Sequence, residues 1–332
     1  MKDINITSLI VCPSCKKMLS IVPPIICTKC GIKYPNDQNI PMLFLENNWK
    51  NNKIDVTTDV KQFYEKTPFP DYEDIDSISS LVKKAERGIY AKFLNEQIPF
   101  NAKVLEIGCG TGQLTNYLSL ASREVVGTDM CLNSLRLAEN FRKINNLNNA
   151  FFFQMNLFNP IFLEKSFDLV ICQGVLHHTS DPYGGFKSIQ NLVRPGGFII
   201  IGLYNWYGRL ITDFRRYIFN LTNDKYKFLD PRLKNDDRGD IKRNSWFNDQ
   251  YKHPHESKHT ISEVLKWFDN NNFDFVNAIP KVKPFTPITI NEKLFKKSSK
   301  GHILHHLLSQ IGTIKSGYNE GGLFLMIGKK NV

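Results

Sequence analysis

No apolar run in this chain approaches the roughly 20 residues that span a bilayer, so no segment reads as a transmembrane helix. Met1-Lys2-Asp3-Ile4-Asn5 lacks the layout of a signal peptide, and a cytoplasmic location is expected. No G-x-x-x-x-G-K-[ST] run is present, which argues against a triphosphate cradle. The glycine-rich loop after Val104-Leu105-Glu106-Ile107 does not complete the dinucleotide fingerprint G-x-G-x-x-G either, because Gln113 stands where the third glycine would fall. Cysteine is sparse, and four of the seven lie in two C-x-x-C pairs. That usage suits a reducing compartment and a metal site better than a disulfide framework. Acid is the scarcer charge, 32 residues against 43 Lys and Arg, and the net +11 invites a polyanionic partner. Lysine richness throughout the chain makes this a mild tilt. The 332 residues, 42% of them hydrophobic, suffice for one large α/β domain and a small one.

The glycine loop is the centre of the chain. Gly108, Gly110 and Gly112, with Cys109 and Thr111 between them, follow an apolar strand and precede a helix. Bare backbone and unpaired helix N–H groups there suit a small ligand laid across the loop. Glu124-Val125-Val126-Gly127-Thr128-Asp129-Met130 reads as a second strand ending in an acid that can grip ribose hydroxyls. Phe151 to Leu157 reads as a third, with Asn156 at its end, Phe167 to Gln173 as a fourth, and Leu192 to Ile201 as a Pro-Gly-Gly turn and a fifth strand. Strands alternating with helices, such as Gln113 to Leu120 and Leu132 to Ile144, imply a doubly wound parallel sheet with its ligand beyond the strand ends. Asn133 or Ser134 is the cap candidate for the second of these helices.

Glu106-Ile107-Gly108-Cys109-Gly110-Thr111-Gly112, Asp129, and Val175-Leu176-His177-His178-Thr179-Ser180-Asp181-Pro182 resemble, in order, the motifs of class I S-adenosylmethionine (SAM) dependent methyltransferases of the type 11 or 12 kind. The resemblance implies a seven-stranded Rossmann-like α/β sheet. It also implies SAM held by Glu106, Gly108, Cys109, Gly110, Gly112, Asp129, Met130, Asn156, Leu157 and Gln173. Asn156 replaces the acid usual in that family; its amide oxygen still accepts a bond but carries no charge.

Cys12-Pro13-Ser14-Cys15 and Cys27-Thr28-Lys29-Cys30 supply four thiolates at the spacing of a closed, structural zinc site. A redox reading needs a thioredoxin-like context that is absent. With the continuation to Met42-Leu43, residues 1–46 resemble the zinc ribbon of the small activator that partners tRNA, rRNA and release-factor methyltransferases, here fused in cis. Chelation is expected to unfold this ribbon alone.

Residues 47–100 read as a connector. Phe63 to Tyr72 is expected as a stiff aromatic arm held by Pro68 and Pro70, packed on the next domain or closing over the ligand. Ile78 to Gln97 has the period of a helix. Residues 101–332 form the main domain, interrupted at 206–258 and 281–320. Trp206, Leu210, Ile211, Phe214, Tyr217, Ile218 and Leu221 form a helical stripe expected to pack in the core. After it come a helix from Thr260, capped by Thr260 or Ser262, a sixth strand at Phe273 to Pro280 and a seventh at Gly321 to Lys329. The interruptions hold twelve Lys/Arg against eight Asp/Glu and seven against two, which is nine of the eleven net charges. They are candidates for RNA contact and for choosing an anionic, stacking acceptor.

Transfer of methyl from a sulfonium depends chiefly on positioning, and a base is needed only when the acceptor sheds a proton. His178, and after it His177, are the candidates for that base, with helix capping the alternative role. The expected activity is methylation of an O, N or C acceptor on a small molecule or a modified RNA nucleotide. Methylation of a quinone or lipid precursor at a membrane surface, and a non-catalytic SAM-binding scaffold or sensor, are the alternatives.

Overall fold

The computed structural model describes residues 6–49, 54–70, 75–233, 240–316 and 321–332. Asp71 and Tyr72 of the expected arm, and residues 234–239 and 317–320 of the expected interruptions, lie outside the described residues. In the central strands neighbouring apolar residues face opposite ways, as a period of two demands. Leu105, Val170 and Ile199 join one buried cluster, and Val104, Leu169 and Ile200 another. A sheet buried on both faces needs helices on both sides.

The elements are β1 (Ile25–Ile26), β2 (Lys33–Tyr34), β3 (Asn36–Asp37), β4 (Ile40–Pro41), α1 (Thr57–Lys66), α2 (Ile78–Arg87), α3 (Ile89–Gln97), β5 (Lys103–Ile107), α4 (Gln113–Ser119), β6 (Glu124–Asp129) and α5 (Leu132–Ile144). They continue with β7 (Ala150–Gln154), β8 (Phe167–Gln173), α6 (Pro182–Ile189), β9 (Val193–Tyr204), α7 (Leu210–Leu221), α8 (Asp240–Phe247), α9 (Ile261–Asn270), β10 (Phe273–Ile279), α10 (Ile303–Ser316) and β11 (Leu323–Lys330). Seven strands make one sheet in the order β10-β11-β9-β8-β5-β6-β7. The run from β9 to β7 is parallel, whereas β11 lies antiparallel between β9 and β10, so the seven-stranded sheet is mixed. The chain leaves β5 for β6 and β7, then returns to lay β8 on the other side of β5. The topological switch therefore falls at the end of β5, where the glycine loop begins. Among the described residues no helix is long and apolar enough to cross a membrane.

The N-terminal segment pairs β1 with β2 and β3 with β4, and packs along the edge strand β7. Met42 bridges Gln154, the Leu43 N–H bonds the Gln154 carbonyl at 3.0 Å, and Val11 N–H bonds Ile161 at 2.7 Å. Ile6, Ile10 and Leu43 share a buried cluster with Phe153, Met155 and Phe162. This packing ties the ribbon's stability to that of the sheet.

Four local expectations are corrected. The helix expected over 78–97 is two, because Gly88 takes an extended conformation (φ −97°, ψ 116°) between α2 and α3. Phe63 to Lys66 are the last turn of α1 rather than an extended arm, since a proline restrains only itself and its immediate predecessor. The cap of α5 is Cys131, whose Sγ accepts the Ser134 N–H, while Glu65 of α1 accepts the N–H groups of Leu132 (2.8 Å) and Asn133 (3.1 Å). The stripe of α7 is turned outward: Leu210, Phe214, Tyr217 and Leu221 are exposed, and Thr212, Arg215 and Phe219 are buried. Inward partners explain that rotation. Arg215 reaches Asp230, the preceding Arg209 reaches Glu256, and Phe219 packs against the rings of Phe247 and Tyr251.

Candidate functional site

A cavity of about 490 Å³ opens at the end of β5, on the switch point. Its floor is the glycine loop. Gly108 holds φ at +71°, and a Cβ there would stand 2.1 Å from Val175 Cγ2. Gly110 holds φ at +51°, and its Cβ would stand 2.2 Å from the Phe69 carbonyl oxygen. Only glycine fits either place. The loop is tied to β6, because Gly108 and Cys109 donate N–H to the Thr128 carbonyl at 2.7 and 3.0 Å. Asp129 fixes it further, accepting the Gly110 N–H at 2.9 Å and the Cys131 N–H at 2.8 Å. Residues 67–70 cross over the loop, where Thr111 Oγ1 donates to the Pro70 carbonyl at 2.6 Å.

Around the loop stand Glu106, Asp129, Met130, Asn156, Leu157 and Gln173, and all six line the cavity with Gly108, Cys109 and Gly110. Burial pushes the Glu106 carboxyl up to about 7, against the Thr115 hydroxyl that donates to it. Burial also raises Asp129, against the N–H groups of Cys131 and Gly110. Asn156 donates to the Leu45 carbonyl and to Asn47 Oδ1, both at 2.8 Å, so its amide ties the chain after the ribbon to the cavity wall. Gln173 donates to the Tyr90 hydroxyl. Gly112 stands apart as the residue before α4, its α-carbon against Ala138 and Phe152.

The opposite end is aromatic. Tyr64, Phe69, His178, Tyr204 and Trp246 line it with Asp249 and Gln250. Asp249 and Gln250 lie in a π-helical turn, residues 248–252, that follows α8. Tyr64 donates to Asp249 at 2.9 Å, and Gln250 Nε2 donates to Asp249 at 2.8 Å and to the Tyr204 hydroxyl at 2.9 Å. Burial raises the Asp249 carboxyl. His178 Nδ1 bonds the His255 carbonyl at 2.9 Å, which sets the Nδ1–H tautomer and leaves Nε2 as an acceptor. Its ring stacks on His253 at 3.6 Å, and burial lowers it to about 4, so it is neutral at physiological pH. His177 is fully buried behind it, stacked on Tyr204, and does not line the cavity.

Sequence reasoning missed Tyr64 as a polar contact and Asp249 and Gln250 as site residues, whereas Trp246 lies in the first interruption, which was expected to choose a stacking acceptor. Each belongs to an element that only the tertiary fold brings to the strand ends. The one local sign was the aromatic character of both segments. Arg215 and Arg216, two of the twelve basic residues of the first interruption, are held inward by Asp230 and Glu256. Among the described residues no lysine or arginine lines the cavity.

The four cysteines converge far from this cavity. Sγ atoms of Cys12, Cys15, Cys27 and Cys30 all lie within 4.8 Å of one another, with Cys12 to Cys30 at 3.7 Å and Cys15 to Cys27 at 3.5 Å. A tetrahedral zinc with bonds near 2.3 Å sets its sulfurs about 3.8 Å apart, so the set fits that ion and leaves no open position.

A family model described as a methyltransferase domain matches residues 105–201, the stretch from β5 into β9. An uncharacterized protein of Synechococcus is 26% identical over 201 residues, covering 52% of this chain and 48% of that protein. The ubiquinone biosynthesis O-methyltransferase of Coxiella burnetii is 28% identical over 141 residues, covering 41% of this chain and 56% of that enzyme. The chain thus spans about half the length of these curated relatives. Among solved structures, PKMT2 from Rickettsia typhi in complex with AdoHcy aligns with 73% of this chain and 52% of its own, at 17% identity and a TM-score of 0.49. The complex between the Haloferax volcanii Trm112 methyltransferase activator and a methyltransferase aligns over 77% of this chain and 97% of that one, at 12% identity and 0.45. The residues similar to that family carry the glycine loop, Asp129, Asn156, Gln173 and His178.

Proposed function

We propose that the protein transfers a methyl group from SAM to an uncharged, ring-shaped acceptor, with SAM on the glycine loop and the acceptor ring at the aromatic end. The observation that carries this reading is the charge of the cavity: Glu106, Asp129 and Asp249 line it, and no described lysine or arginine does. Such a wall favours a sulfonium and an ammonium and disfavours the pyrophosphate of a dinucleotide. It also disfavours the anionic acceptor that the basic interruptions suggest from sequence.

SAM supplies the electrophilic methyl, and the chain's own residues place it. The bare backbone of Gly108 and Gly110 admits the ligand, Asp129 is available to ribose hydroxyls, and Asn156 offers an uncharged edge to the adenine. Phe69, Trp246, Tyr64 and Tyr204 accommodate a flat acceptor and keep water out. Where the acceptor sheds a proton, Asp249 takes it. This carboxylate keeps a lone pair on each oxygen beyond its bonds to Tyr64 and Gln250, and its raised proton affinity brings it nearer neutral pH. His178 stays neutral and holds Nε2 toward a hydrogen-bond donor. A phenol, as the ubiquinone relatives suggest, and a nucleobase of a modified RNA are the two acceptor types this end suits. The zinc-ribbon resemblance favours the second.

Calorimetry tests the first half: SAM binds and NAD does not, and an equal affinity for both overturns the reading. Comparing methylated metabolites and nucleosides from cells with and without the gene tests the second. Loss of a methylated ring compound is expected, and loss only of a methylated carboxylate or phosphate would overturn it.

A further inference from the structure

We propose that the outward faces of α7 and α10 seat the protein on an anionic lipid surface. On α7, Phe214, Tyr217 and Leu221 are 65%, 63% and 68% exposed, at the spacing of one helical face. On α10, Ile303, Leu304 and Leu308 are 74%, 60% and 51% exposed. Scattered apolar residues on a surface need no explanation, but two helices that each present a continuous apolar face do.

The turn that leads into α7 is tied to α10. Asn205 is buried at that turn: its Nδ2 donates to Gln310 of α10 at 3.0 Å, and its Oδ1 accepts the N–H groups of Tyr207 and Gly208 just before α7. Trp206, half exposed, stands at that turn, the kind of amphipathic ring that settles at a headgroup boundary.

Charge selects the occupant. No exposed residue of either helix is acidic, and α10 contains no Asp or Glu at all. On α7 the one acid, Asp213, is engaged by Lys258 and Arg216. The two interruptions that carry these helices hold nine of the chain's eleven net positive charges. Apolar side chains on helices without an exposed acid, within interruptions of net positive charge, match acyl chains beneath anionic headgroups. A second copy would bring the same positive surplus against itself. Nucleic acid would use the charge but leaves the leucines and isoleucines without a partner.

The test uses the whole chain with zinc supplied and sedimentation with vesicles of phosphatidylcholine alone or with phosphatidylglycerol added to give a negative surface potential. Binding is expected to the mixed vesicles, at least tenfold weaker to phosphatidylcholine alone, and weakened by 0.5 M salt, where the Debye length falls to about 4 Å. The pairs Phe214→Glu with Leu221→Glu, and Leu304→Glu with Leu308→Glu, should each cut the bound fraction at least tenfold. Their SAM affinity, measured by calorimetry, reports that they fold, and that readout stands or falls separately from the lipid one. Absence of binding to the mixed vesicles overturns the proposal, as does equal binding by wild type and both variants. A dimer in light scattering that the substitutions dissociate, without lipid binding, would assign the face to a second copy instead.

Discussion

Tyr64 donates its phenolic hydrogen to Asp249 across 2.9 Å, joining the last turn of α1 to the π-helical turn beyond α8. The bond closes the acceptor end with residues 185 positions apart. Tyr64→Phe removes the donor and leaves a buried carboxylate short of one partner, a loss of about 1–3 kcal/mol in denaturant unfolding. Asp249→Asn keeps the shape and removes the base. For a proton-shedding acceptor the expected result is a fall in kcat of about 10²–10⁴ with SAM affinity unchanged. Wild-type kcat in the Asn variant would return the proton to His178.

Glu106 makes the ligand-free protein pH-sensitive in a stated direction. Its carboxyl is raised from 4.5 to about 7 by burial, so the folded chain holds a proton that the unfolded chain has released between those values. Its contribution to stability is complete below pH 4.5 and lost as pH rises through 7, by at most ~3 kcal/mol. Melting temperatures of Glu106→Gln across pH 5–8 should lack this component. SAM, a cation, favours the ionised form, so its affinity should climb from pH 6 to 8 in the wild type and stay flat in the variant.

Arg209 is fully buried and grips Glu256, with its Nε 2.9 Å from Oε1, while Arg216 bonds Oε2 at 2.7 Å. Burial alone would raise Glu256; the two guanidinium groups pull it down to about 2. That stabilisation is present above pH 4.5 and is lost as pH falls toward 2. Arg209→Met leaves the acid buried with half its partners and should cost about 3–5 kcal/mol, whereas adding Glu256→Gln should restore much of it. Thermal unfolding of the single and double variants measures the difference.

One zinc per chain is expected by metal analysis, held by Cys12, Cys15, Cys27 and Cys30. Because Ile10 and Leu43 share a core with Phe153 and Phe162, chelation should lower the melting temperature of the whole protein. The ribbon unfolding alone, as the sequence suggests, would appear as a separate early transition.

The parts of the site written in consecutive residues were legible. Gly108 to Gly112, Asp129 and the four cysteines each announce their chemistry within a few positions, and β5, β6, α5 and β8 follow from strong periodicity. The acceptor end was legible only in part: the aromatic stretch from Phe63 and the interruption that carries Trp246 stood out, but Tyr64 and Asp249 meet only through the tertiary fold. Patterning also misled at α7. A stripe of seven apolar residues implies burial unless something else claims the interior, and there Arg209, Arg215 and Phe219 claim it. His177 and His178 are adjacent in sequence yet separate in space, one facing the cavity and the other sealed behind Tyr204.

The ribbon's position along β7 bears on the fate of the protein once its metal is lost. β7 is Ala150-Phe151-Phe152-Phe153-Gln154, an uncharged, aromatic edge strand, and its end is occupied by the Met42 and Leu43 backbone. Such an edge is a template for pairing with any other chain that offers one. Stripping the zinc would thus do more than soften one end of the molecule. As the weakened protein opens it would free a strand edge whose easiest new partner, in a concentrated solution, is the same edge on a neighbouring molecule, and the lowered melting transition should end in insoluble material.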